Sequence, residues 1–251
     1  MTPIARNGSL AILGALAFVA FWELAAIGYQ SGLLAAPSTV LLRLMELSTK
    51  ATIWNDLVST TGRWLAGFAL GCAVGIPLGL VMGAYRPVYS SLSLVLDFLG
   101  SLPVTAIFPL FLLVFGIGDA SKVAMVFTAT VFVVASGTAF GVMHATTARV
   151  RMARTFGATE WQVFRHVLAY EALPQIIVSM RSTLSISLIA VVVSEMFIGT
   201  ESGLGQRIYV AYQTNVTADL YAVLLVVGCL GYTSTALLDV LERRLVPWAG
   251  L

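Results

Sequence analysis

Charge is scarce in this sequence: Asp, Glu, Lys and Arg make up 10% of its 251 residues, while 59% are hydrophobic. An average soluble domain has roughly 25% charged residues, so water is not the main solvent of this chain. A net charge of +2, with its basic residues gathered in one loop, gives no basic face for nucleic acid. Cysteine is limited to Cys72 and Cys229, both inside apolar runs where thiols pack as small hydrophobes, so no disulfide framework is expected. His144 and His166 lie in a polar loop without Cys or carboxylates at ligand spacing, and no metal site is expected. The lysines are Lys50 and Lys122, which follow Thr49 and Ser121. A phosphate-binding loop needs Gly-Lys-[Ser/Thr], so this chain cannot supply an ATPase. His-Glu-x-x-His, Ser-His and paired-Asp arrangements are missing from the apolar runs, and no catalytic residue is assigned.

What the sequence has is long apolar runs. Crossing the ~30 Å hydrocarbon layer takes about 20 apolar residues in a helix. Runs of that order fall near 10–27, 64–84, 92–115, 123–142, 176–198 and 221–241. They are continuously apolar rather than alternating, which fits helices and not barrel strands. The expected fold is therefore an all-α membrane protein of about six transmembrane helices in one domain. The first run exceeds the apolar core of about 7–15 residues in a secretory signal, so it reads as a retained helix. With the amino terminus inside, the cytoplasmic segments hold Arg6, Arg86, Arg149, Arg151, Arg154, Arg165, Arg243 and Arg244, and the outer loops hold Arg43, Lys50, Lys122 and Arg207. The positive-inside bias places both termini in the cytoplasm. Between the first two runs, Pro37 and Ser38 open a segment whose Val40, Leu41, Leu44 and Leu47 are spaced as a short amphipathic helix, read chiefly as a connector.

Inside the membrane three features stand out. Gly67, Gly71, Gly75, Gly79 and Gly83 recur every four residues, forming a smooth, slowly winding strip for close helix approach. Pro77 interrupts the same run. In the third run Asp97, Gly100, Pro103 and Pro109 punctuate an apolar stretch; each proline removes a backbone donor, and a broken helix there is suited to line a pathway. Asp97 and Glu195 are carboxylates well within spans, costly enough to mark function; pairing with an arginine or capping a half-helix is the equal alternative. Arg181 either snorkels to the interface or pairs internally.

The polar stretch 144–174 contains Arg154, Thr155, Phe156, Gly157, Ala158, Thr159, Glu160, Trp161, Gln162, Val163, Phe164 and Arg165. Thr159 is a suitable N-cap, and Gly157 permits a sharp redirection just before it. A helix, a turn and a short second helix are expected, presenting Trp161 and Phe164 beside charges. As far as the residues go, these aromatics are either interfacial anchors or a docking surface for a soluble partner.

With these residues in view, the chain resembles the inner-membrane permeases of binding-protein-dependent ABC importers, in the nitrate, sulfonate and taurine branch. Arg154 to Pro174 looks like that family's loop signature, with Gly157 as its fixed glycine and Leu173-Pro174 at its close. Further matches, in order, are Arg63 to Gly71, Gly75 to Gly79, Pro103, Pro109-Leu110, Phe115 to Gly118 and Ser121-Lys122. Glu195, Gly203 to Gly205, Arg243 to Leu245 and Pro247-Trp248 follow. The chain departs from the pattern at Tyr170, where many relatives have proline, at Gly100, where they have arginine, and at Arg151-Met152-Ala153, where the broader superfamily has an acidic residue followed by alanines.

The resemblance implies a type I importer permease in the bacterial cytoplasmic (inner) membrane. It would pair with a second copy, surrounded by lipid, and bind two cytoplasmic ABC ATPase subunits that carry the ATP and Mg. A separate binding protein outside would deliver a small, anionic solute such as nitrate, a sulfonate or taurine. Gly157 would be the bend, and Ala158, Thr159, Glu160, Trp161 and Phe164 the coupling helix that docks on the ATPase. Ser194 and Glu195, with Asp97 and Pro103 of the third span, are the pathway candidates. The competing reading is an ion-coupled secondary transporter or channel, with Asp97 and Glu195 as coupling carboxylates.

Overall fold

The glycine strip sets the closest packing in the protein. In the structure, a computed structural model, helix α3 (Ala51–Ala84) lays the strip along α6 (Asp119–Met143). A Cβ on Gly67 would fall 2.5 Å from Val126 Cβ, one on Gly71 2.6 Å from Thr130 Cβ, one on Gly79 2.4 Å from the Ala135 carbonyl, and one on Gly83 2.5 Å from Val142 Cβ. Both helices therefore meet in steps of about four residues, and side chains on this face of α3 would push them apart. The other face of α6 receives α9 (Ala169–Phe197), with Gly137 and Gly141 against Ser179, Ala172 and Gln175. These three helices form the centre of the molecule. The structure describes residues 3–29, 32–145, 147–197 and 200–246, the side chains of residues 3–9, 11 and 147 excepted.

The remaining elements wrap this centre. They are α1 (Pro3–Gly28), α2 (Pro37–Ser48), α4 (Arg86–Ser101), α5 (Phe108–Phe115), α7 (Thr147–Thr155), α8 (Glu160–Val163), α10 (Leu204–Gln213) and α11 (Thr217–Leu245). All regular structure among the described residues is helical, as expected. The amphipathic segment after the first run is α2, with Val40 and Leu47 buried. Arg43 on α2 pairs with Asp219 on α11 and with Glu46. Lys50, 3.0 Å away, and Arg43 hold the Glu46 carboxyl below its ordinary range.

The count of spans differs from the sequence expectation. Among the described residues, four helices are long and apolar enough to cross a bilayer: Ala51–Ala84, Asp119–Met143, the continuous Glu160–Phe197 and Thr217–Leu245. A fifth follows if α4 and the segment Val104–Phe115 count as one span bent by 85°. In α1 the apolar part, Ile12–Gly28, is shorter than these. The bend has its cause in the prolines. Leu102 is extended (φ −73°, ψ 131°), as a residue before proline prefers, a 3-10 turn covers Val104–Ile107, and Pro109 sits in the first turn of α5, where its missing N–H costs nothing.

The span expected at 64–84 lies within a helix that starts at Ala51, since no breaker separates the two. The close expected at Pro174 is also displaced: Pro174 lies inside α9. A π-helical segment, Phe164–Leu168, joins α8 to α9 just upstream, where the backbone hydrogen-bond register is already relaxed. Ile198, Thr146, the tail match Pro247-Trp248 and the Arg6 side chain lie outside the described residues.

Candidate functional site: a capped knob, a polar groove and a buried carboxylate network

The stretch read as a docking element folds as the residues dictate. Gly157 has φ +81°, Gly157 N–H donates to the Arg154 carbonyl at 3.0 Å, and Ala158 N–H donates to the Ala153 carbonyl at 3.1 Å. Together these form a Schellman motif that stops α7 at a residue suited to left-handed backbone. Thr159 then caps α8 through a complete capping box. Its hydroxyl accepts from Gln162 N–H at 3.3 Å, and Gln162 Oε1 accepts from Thr159 N–H at 2.8 Å. Two stop-and-start signals in a row make a rigid knob. Val163, 2% exposed, seats it, while Trp161 is 65% and Phe156 85% exposed. Trp161 stacks on Phe164 with ring centroids 5.6 Å apart, and Glu160 pairs with Arg154 at 3.0 Å. Phe156 was not singled out by sequence reasoning; its place beside a positive-φ glycine was the available signal.

Two of the four pathway candidates share a groove. Asp97 and Gly100 on α4 line a hollow of about 420 Å³ with residues of α6 and α9, among them Ser136, Gln175, Ser179 and Ser182. Pro103 lines a second hollow of about 350 Å³, which shares Gly100, Phe132 and Val133 with the first. The two hollows adjoin at these residues along the broken third span. Ser194 and Glu195 do not line it. Both are fully buried, and the Ser194 hydroxyl donates to the Val191 carbonyl at 2.6 Å.

Glu195 is the centre of a network joining α3, α9 and α10. Its carboxylate accepts from Thr60 Oγ1 at 2.8 Å, from Arg63 Nη1 at 2.7 Å and from Gly205 N–H at 3.0 Å. Arg63 also donates to Asp119 at 2.7 Å and to the Ser202 carbonyl at 2.8 Å, and Lys122 stands 3.7 Å from Asp119. Alongside, Asp56 accepts from Gly203 N–H at 2.9 Å and from Arg207 at 2.6 Å. Gly205 must be glycine, because a Cβ there would lie 2.1 Å from the Val192 carbonyl. The carboxylate thus pairs with an arginine and caps the start of α10, the geometry that satisfies a buried charge within a bilayer. Sequence reasoning missed Thr60, Asp56, Asp119 and Arg207, whose partners are far away in the chain. Arg181 pairs internally with Asp239 and Glu242 of α11.

Comparison with known proteins gives these features a family. The family described as "binding-protein-dependent transport system inner membrane component" matches residues 75–250. The taurine transport system permease protein of Escherichia coli is 30% identical over 256 residues, covering 99% of this chain and 92% of its own. The riboflavin transport system permease protein of Chloroflexus aurantiacus is 28% identical, covering 91% and 85%. Among solved structures, the MetNI methionine ABC transporter in an inward-facing conformation superposes with TM-score 0.68 at 20% identity, over 77% of this chain and 96% of that one. An amino acid ABC transporter with histidines gives TM-score 0.60 at 18% identity, over 80% and 96%. The likeness to these structures shows the fold. The match over most of the chain means that this protein belongs to the binding-protein-dependent inner-membrane permeases and is the permease subunit of an ABC importer, not its ATPase.

Proposed function

We propose that the chain is a single transmembrane domain that acts as a homodimer, docks one ATPase per copy through the α8 knob, and passes solute along the groove of Asp97 and Pro103. The supporting observation is the knob itself. Its Schellman stop at Gly157 and capping box at Thr159 present Phe156 and Trp161 to solvent at the end of a helix that continues unbroken to Phe197. Exposed aromatics in a polar rim concentrate interface energy, and a continuous helix carries their displacement into the membrane. ATP binding favours the state in which the two knobs are close, and hydrolysis releases it. A ligand drives such a change by its preference between states.

In this reading α1 is the sixth span, flanking the bundle where Trp22 meets Tyr221 with ring centroids 5.8 Å apart. Both termini then face the cytoplasm, in keeping with the arginines at 149–165 and 243–244. A binding protein outside the cytoplasmic membrane delivers the solute, which is small and polar and of the sulfonate or taurine type carried by the relatives. Glu195 and its partners hold the opposite ends of α3, α9 and α10 together during the cycle.

The test is association. Glu160→Ala with Trp161→Ala should reduce recovery of the cognate ATPase with the tagged permease by about tenfold or more, the effect of losing an aromatic anchor. Membrane insertion should be unchanged. ATPase recovery equal to wild type would remove α8 as the docking element.

A further inference from the structure

The polar groove has a charge character of its own. Asp97 is the formally charged side chain on its lining, beside Ser136, Gln175, Ser179 and Ser182. It lies eleven residues beyond Arg86 along α4, roughly 16 Å at 1.5 Å per residue, about half the hydrocarbon thickness. No described residue forms a hydrogen bond or ion pair with its carboxylate; the Ser101 hydroxyl, 2.6 Å away, donates to the Asp97 backbone carbonyl instead. Two hydroxyls on the wall, those of Ser179 and Ser182, have spent their protons. Ser179 donates to the Gln175 carbonyl at 2.8 Å, and Ser182 donates to the Val178 carbonyl at 3.0 Å. Their oxygens therefore face the groove as acceptors. A wall with one carboxylate, two such acceptors and no cation is matched to a ligand that brings N–H donors and positive charge, and its charge opposes a bare anion. The hollow, about 420 Å³, is within the range that small organic ligands occupy.

We infer that Asp97 is a specificity-determining residue of the transport path, selecting solutes that carry a positively charged nitrogen. This rests on the groove being the path. Combined with a solute of the sulfonate type, it specifies an amino-sulfonate zwitterion over the same sulfonate without its amine. Gly100 beside Asp97 is not required by packing, since a Cβ there would meet just Phe132 Cβ at an ordinary 3.6 Å. A cation placed at that position would cancel the selection.

The experiment uses the assembled permease–ATPase complex with Cys229 replaced by Ser, Cys72 being buried, and Ser182→Cys as a reporter in the groove. Labelling rates are measured with a trimethylammonioethyl and a sulfonatoethyl methanethiosulfonate, each divided by its rate with a free thiol in solution. With Asp97 intact the cationic reagent should be favoured by about tenfold, the lower end of focusing by a charged cleft. Asp97→Asn should bring the ratio towards one, and Gly100→Arg should bring it to one or below. Taurine should slow labelling while ethanesulfonate does not. No charge preference with Asp97 intact, no labelling by either reagent, or equal protection by the two sulfonates would overturn the inference. The ATPase association of the same preparation is read separately, so failure here leaves the docking reading standing, and failure of docking is seen directly.

Discussion

Removing the Glu195 carboxylate separates a structural role from a transport role. In Glu195→Ala, Thr60 Oγ1, Arg63 Nη1 and Gly205 N–H lose the acceptor that now lies 2.7–3.0 Å from them. Breaking a buried ion pair from one side costs about 3–5 kcal/mol. Arg63 keeps Asp119 and the Ser202 carbonyl, so the lower end, about 3 kcal/mol, is expected. For a chain of this size that is an apparent melting shift of roughly 6–12 °C. Glu195→Gln keeps the volume and one acceptor, and should cost about half as much. Unfolding in detergent can be followed by a thiol-reactive fluorophore on the buried Cys72, with Cys229 replaced by Ser. A double-mutant cycle with Arg63→Ala should give a coupling of about 1.5–3 kcal/mol. A shift below about 1 kcal/mol with no coupling would refute the network as a stabilising element. Unchanged stability with lost transport would place the carboxylate on the path instead.

The glycine strip predicts a steep positional contrast. Gly79→Leu, whose Cβ would lie 2.4 Å from the Ala135 carbonyl, should abolish recovery of folded protein from the membrane. Gly62→Ala, on the same helix with nothing within 4 Å, should leave recovery equal or higher; equal loss at both sites would contradict the packing account. Thr159→Ala removes the cap on α8 and should weaken ATPase association several-fold, through about 1 kcal/mol of lost local order, measured by titrating the ATPase onto immobilised permease. Arg181→Ala leaves Glu242, 5% exposed, without its cation. It should lower the melting temperature by roughly 4–8 °C, from about 2 kcal/mol, and no shift would show that the pair is not formed.

Periodic features were legible in the sequence, and features made by distant partners were not. The four-residue glycine period already implied a close helix contact, and α6 supplies the matching face. Pro103 and Pro109 announced a broken third span, although not its 85° bend, which depends on how α5 packs back on α6. Gly157 and Thr159 marked the stop and the cap of the knob because both are local backbone requirements. Glu195 was visible as a costly charge, but its partner Arg63 is 132 residues away, a separation no local pattern encodes. The π-helical segment before Pro174 escaped for a related reason. Apolar periodicity barely distinguishes one extra residue in a turn, so the run after Glu160 read as loop followed by span when it is one continuous helix.

A separate ATPase drives this permease, and uptake by proteoliposomes measures that directly. Vesicles holding the permease with its ATPase inside and its binding protein outside should accumulate radiolabelled solute only when loaded with ATP and Mg, and a proton or sodium gradient should not replace ATP. Gradient-driven accumulation by vesicles containing this chain alone, without ATPase or ATP, would contradict it.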